Sequence, residues 1–94
     1  MSDVFDALAH PTRRKIVGLL RRQAMSAGDI ADKLDIAKPT LSRHLSVMKA
    51  ADLVDLERQG TSLIYRLNVS VVEETLVALM NLAGVKGRLA AEEK

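Results

Sequence analysis

Apolar positions along this chain follow a helical spacing as far as about residue 51, then alternate like strands, then become helical again. Val4, Phe5 and Leu8 mark a short helix over residues 3–9. His10-Pro11 interrupts it, because a residue before proline is pushed out of the α region. Pro11 suits the first turn of a second helix that runs to about Arg22. Its Ile16, Val17, Leu19 and Leu20 point inward and its arginines outward. Ser26 and Asp29 stand at capping-box spacing and open a third helix, with Ala27, Ile30, Ala31 and Leu34 on one face.

Asp35 to Ala37 is a connection of helix-turn-helix length, although it lacks the usual glycine. A fourth helix follows in KPTLSRHLSVMK, with Pro39 at its first position and Lys38 as a poor N-cap. Leu53, Val54 and Leu56, then Leu63, Ile64, Tyr65 and Leu67, read as two strands joined by RQGTS, where Gly60 can take a positive φ. Leu63, Tyr65 and Leu67 share one face. Ser70 with Glu73 opens the last helix, striped by Val72, Leu76, Leu79, Met80 and Ala83, and Gly84 ends it. The expected fold is mainly α with a two-stranded β-hairpin. The order helix, helix, helix, helix, strand, strand, helix is that of a winged helix-turn-helix. Residues 1–94 are expected to form one domain with a frayed tail at 85–94.

Composition narrows the chemistry. The 94 residues include no cysteine, which excludes disulfides and thiolate metal sites. Phe5 and Tyr65 are the only aromatics, so the core must be aliphatic. No apolar run approaches the roughly 18 residues that span a membrane. MSDVFDALAHPTRRK has no basic start followed by an apolar stretch. A cytoplasmic protein without direct membrane insertion is therefore expected. There is no glycine-rich phosphate loop and no nucleophile–base pair, and Glu73-Glu74 are helix neighbours that do not converge on one face. Neither an enzyme nor a cofactor is expected.

The net charge is only +2, but it is uneven: residues 11–22 carry Arg13, Arg14, Lys15, Arg21 and Arg22 and no acid. Such a surface suits a polyanion, and a solvated helix face would look the same. The fourth helix, taken with the preceding helix at turn spacing and the hairpin behind it, decides between them. On a helical wheel Leu41, Leu45 and Met48 fall within about 60° and face inward. The other side presents Thr40, Ser42, Arg43 and Ser46. Arg43 can reach guanine O6 and N7, while Thr40 and Ser42 can bond base edges. Lys38 and the first-turn N–H groups can hold a phosphate. Arg58, Gln59, Thr61 and Arg66 lie on or beside the hairpin turn, where a wing meets phosphates or the minor groove. Double-stranded DNA is the expected partner.

Several stretches also carry a resemblance: VFDALAHPTRRKIVGLL, MSAGDIADKL, KPTLSRHLSVMKAADLV and ERQGTSLIYRLN. Over residues 3–83 the chain resembles the ArsR family of winged-helix repressors, nearest its SdpR-like autorepressor branch. The resemblance implies a homodimeric repressor on a pseudo-palindromic operator, paired through helices at about 3–9 and 70–84. Val4, Phe5, Leu8, Leu76, Leu79, Met80 and Ala83 would be among the contacts. An apolar last helix on so short a chain also needs a covering surface. The resemblance further implies release from DNA by a regulatory membrane-protein partner.

Two family features are absent. Ser26 and Gly28 stand where metal-sensing members carry thiolates, and the last helix has Glu73 and Glu74 but no histidine. His10 reads as a capping or surface residue and His44 as a satisfied, partly buried one, so no metal site is expected. The alternatives are a metal-responsive repressor with a non-standard site and a winged-helix protein-interaction module.

Overall fold

Proline and polar caps divide the chain where the pattern changes. The computed structural model describes residues 3–85. It contains α1 (Val4–Leu8), α2 (Pro11–Arg22), β1 (Met25–Ser26), α3 (Ala27–Leu34), α4 (Lys38–Ala50), β2 (Val54–Gln59), β3 (Ser62–Leu67) and α5 (Val69–Ala83). The tail expected to fray lies outside the described residues apart from Val85. One aliphatic cluster joins α1 to α4 and the sheet through Ala7, Ile16, Leu20, Ile30, Leu41, Leu45, Met48, Leu53 and Val54.

The hairpin is part of a three-stranded sheet of order β1-β3-β2, which corrects the two-stranded expectation. Met25 pairs with Tyr65 and Ser26 with Ile64, both antiparallel. Two residues are too few to show alternation, so β1 leaves no pattern to read. Its pairing ties the hairpin to the start of α3, where the Ser26 hydroxyl accepts from the Asp29 N–H at 3.2 Å. In the hairpin Gln59 pairs with Ser62 around a two-residue turn. Gly60 there takes φ 62°. Positive φ at the first turn residue alone is the type II′ pattern.

Two other helix starts shift. Ala37 is the N-cap of α4 and makes no side-chain capping bond, so Lys38 is the first helical residue and Pro39 the second. Asn68, not Ser70, caps α5: its Oδ1 accepts from the Val71 N–H at 3.4 Å. Asn68 also donates its own N–H to the Leu53 carbonyl at 2.9 Å. That bond anchors the start of α5 beside the core.

Left-handed residues end three helices. Asp35 has φ 54° and Asp52 φ 61°, and Gly84 has φ 74°. After each, a residue bonds back five positions: Ile36 to Ala31, Leu53 to Met48 and Val85 to Met80. These are Schellman closures, and Asp35 takes the place of the missing glycine in the helix-turn-helix turn. An aspartate tolerates αL better than a β-branched residue does. Asp52→Val will therefore cost about 1–2 kcal/mol, and Asp52→Gly will not. Urea midpoints of the two variants against wild type check this.

Alpha 5 packs on the body only through its first half. Val71 and Val72 touch the core, and Thr75 is buried with its hydroxyl donating to the Val71 carbonyl at 2.7 Å. Further along, Leu76, Leu79 and Leu82 are exposed, Leu82 at 81%. The expected single stripe is thus divided: Val72 is inward, whereas Leu76 and Leu79 remain uncovered.

Candidate nucleic-acid interface

Alpha 4 is held by its buried side. Leu41, Leu45 and Met48 are fully buried, and His44 is 8% exposed. Lys38, Thr40, Ser42, Arg43 and Ser46 are exposed. Among the described residues none of these five side chains makes an intramolecular hydrogen bond or ion pair. The helix therefore offers one guanidinium, three hydroxyls and one ammonium on a rigid support.

The wing divides its polar residues between two faces. Arg58 stands opposite Leu63 on the face that leads to Leu56, Tyr65 and Leu67. Gln59 and Arg66 lie on the other, and Thr61 sits at the turn. All four are exposed. Arg66 is engaged already: its guanidinium donates to Glu57 Oε1 at 2.8 Å. That hydrogen bond, then the charge behind it, holds the Glu57 carboxyl below its ordinary value. The sequence places Arg66 at the wing but gives no sign of this partner, which lies on the facing strand.

The basic run of α2 is not uniformly outward, which corrects the expectation for its arginines. Arg13 turns in, donating through one terminal nitrogen to the Asp6 and Ala7 carbonyls, both at 3.4 Å. Its Nε donates to His44 Nδ1 at 3.2 Å. Arg14 donates to the Leu8 carbonyl at 2.7 Å. Two cations thus satisfy the last carbonyls of α1, where the helix dipole favours them. Lys15, Arg21 and Arg22 remain outside with Lys33, around an open groove floored by Gly18, Leu19 and Leu34. That groove lies between α2 and α3, whose Lys33 and Leu34 also line it.

Both histidines have the structural roles expected of them. His10 caps α2, its Nδ1 accepting from the Thr12 N–H at 3.3 Å. His44 is buried and accepts from Arg13, with the two rings 4.5 Å apart. Burial, then the charges of His10, Arg13 and Arg43, push the His44 pKa below the ordinary value. The folded state thus resists a proton that the unfolded chain accepts. This stability is full above the ordinary imidazole value of about 6.5 and is lost as pH falls from there toward the folded-state pKa. The melting temperature of wild type will fall more steeply than that of His44→Gln between about pH 7.5 and about pH 5.5. Thermal melts by circular dichroism check this.

Ser26 and Gly28 hold no metal chemistry of their own: one is a helix cap and the other an early residue of α3. Among the described residues no three or more His, Cys, Asp or Glu side chains come together. No helix among them is long and apolar enough to cross a membrane.

Known proteins share this arrangement. A helix-turn-helix domain family matches residues 8–57. The transcriptional repressor SdpR of Bacillus subtilis is 41% identical over 81 residues, 86% of this chain and 90% of SdpR. The solved structure of an ArsR-like transcriptional regulator from Rhodococcus is 31% identical and superposes with a TM-score of 0.81, covering 96% of this chain and 84% of the other. The chain belongs to the ArsR family. It is thus a helix-turn-helix, DNA-binding transcriptional regulator and not an enzyme. A biofilm growth-associated repressor of Agrobacterium fabrum is 42% identical over 60 residues, 64% of this chain. The chain spans about half the length of that relative, 51%. Within the ArsR-family fold, α3 and α4 form the helix-turn-helix and the β2–β3 hairpin is the wing.

Sequence reasoning also missed the link from Arg13 to His44 in this ArsR-family chain. The residues are 31 positions apart, and an arginine in a basic run reads as solvated. The expected dimer contacts also fall into two groups. Phe5, Leu76, Leu79 and Ala83 are exposed and Met80 is half-buried, whereas Val4 and Leu8 pack on their own core. Leu82, not anticipated, is the most exposed large apolar residue described.

Proposed function

We propose that the chain is a homodimeric repressor that reads a pseudo-palindromic operator with two copies of α4. One observation carries the reading: Arg43, Thr40 and Ser42 project, without intramolecular partners, from a helix whose other side is locked in the core. Arg43 reads guanine in the major groove, Thr40 and Ser42 bond neighbouring base edges, and Ser46 reaches further along. Lys38 holds a phosphate at the start of α4. Arg58, Gln59 and Thr61 bring the wing to the backbone or minor groove, and Arg66 joins them by exchanging Glu57 for phosphate.

Pairing is through α5 and Phe5. Leu76, Leu79 and Leu82 form an uncovered surface beside an open groove lined by Phe5, Val71 and Ala78. A second copy would cover them, with Met80 and Ala83 at the margin. Val4 and Leu8 then act mainly by seating α1. Such a regulator works in the cytoplasm. A regulatory protein partner with an acidic segment would suit the groove ringed by Lys15, Arg21, Arg22 and Lys33.

Selection of bound duplexes from a random pool tests the reading. The expected product is an inverted repeat with half-sites one helical turn apart, about 10 base pairs. Affinity should fall linearly on a log–log plot against salt. A pool without enrichment, or binding indifferent to salt, would sink it.

A further inference from the structure

Alpha 1 is only five residues long, too short to hold itself. Its orientation is imposed from outside: Ala7, Val4 and Leu8 pack on the core, and Arg13 adds polar bonds at its carbonyl end. One terminal nitrogen of this guanidinium reaches the Asp6 and Ala7 carbonyls, while Nε reaches His44 on α4. Arg14 closes the adjacent Leu8 carbonyl. His44 stands about 100° around the helix from Arg43 and about 40° from Thr40.

We propose that Arg13 is a positioning residue for DNA reading: it clamps the buried side of α4, through His44, to the carbonyl end of α1 and sets the rotation at which Arg43, Thr40 and Ser42 meet the groove. This rests on the reading role proposed above for α4. A side chain about 6 Å from the helix axis moves about 1 Å for a 10° rotation. A bidentate contact does not survive such a shift, because hydrogen-bond distances vary by only a few tenths of an ångström. Binding to phosphates, which takes many geometries, does survive it. Since α1 presents Phe5 to the pairing surface, the same guanidinium also connects dimer geometry to the reading helix.

The clamp requires an unprotonated Nδ1 on His44. A charged imidazole donates from both nitrogens and cannot accept from Arg13. The groups facing His44 are His10 from the cap of α2, Arg13 from α2 and Arg43 from its own helix. Among the described residues no carboxylate bonds any of them. Acid therefore releases the clamp with nothing beside it to stabilise the new charge.

Wild type, Arg13→Lys and His44→Gln can be compared by fluorescence anisotropy on the selected operator and on a scrambled duplex. The range runs from about pH 8 down to the lowest pH at which circular dichroism shows each protein folded. Lysine keeps the charge but cannot make both sets of bonds. Arg13→Lys should lose about three- to tenfold on the operator and nothing on the scrambled duplex. Wild-type selectivity should fall with acid. That of His44→Gln, which has no titrating ring, should stay level. A folded Arg13→Lys with the wild-type affinity ratio overturns the proposal, as does one pH profile shared by wild type and His44→Gln. If Arg13→Lys does not fold, the two pH profiles decide. A wild-type protein with no preference among duplexes overturns the reading role of α4 and this inference together, and shows it before any variant is made.

Discussion

Replacing Leu79 and Leu82 together with glutamate will leave a folded monomer whose operator affinity is lower by at least about 100-fold. The size follows from linkage: two half-site contacts in one dimer reinforce each other by roughly 10²–10⁴ without any new contact. The fold should survive, because these two leucines are exposed and the body holds α5 through Val71, Val72 and Thr75. Four glutamates brought together in a dimer would repel and would have to be desolvated. Sedimentation equilibrium gives the oligomeric state, a thermal melt the fold, and anisotropy the affinity. A variant that still dimerises, or a monomer with wild-type affinity, would show that α5 is not the pairing helix.

Arg43→Ala will bind the operator about 10- to 100-fold more weakly and will discriminate less at one base position. A bidentate arginine–guanine pair is worth about 1–3 kcal/mol of discrimination. Arg43 is exposed and outside the core cluster, so its removal should leave the melting temperature nearly unchanged. Affinity for a scrambled duplex should change little, losing only one positive charge per protomer. The check is a competition series in which each operator position is varied in turn. Unchanged preference at every position would remove Arg43 from the reading surface.

The helices were legible because their information is local. Leu41, Leu45 and Met48 recur at helical spacing, and all three are buried. Pro11 and Gly84 stand at the ends of helices where their backbone preferences put them. What escaped was decided by distant partners. Beta 1 exists only because β3 lends it an edge. Asn68 caps α5 because its own N–H is fixed by Leu53, fifteen residues earlier. Arg13 looks like one more surface cation until α1 and His44 are beside it. The proposed reading surface was legible as a set of exposed residues on α4. The ion pair of Arg66 with Glu57 was not, since it depends on strand register.

The division of α4 into a locked half and a free half has an evolutionary consequence. Thr40, Ser42, Arg43 and Ser46 can be exchanged without altering any packed volume, so on the proposed reading duplicated copies of such a gene can drift to new operators one position at a time. Leu41, His44, Leu45 and Met48 have no such freedom. Divergence among paralogues should therefore run along one side of this helix and leave the other nearly still.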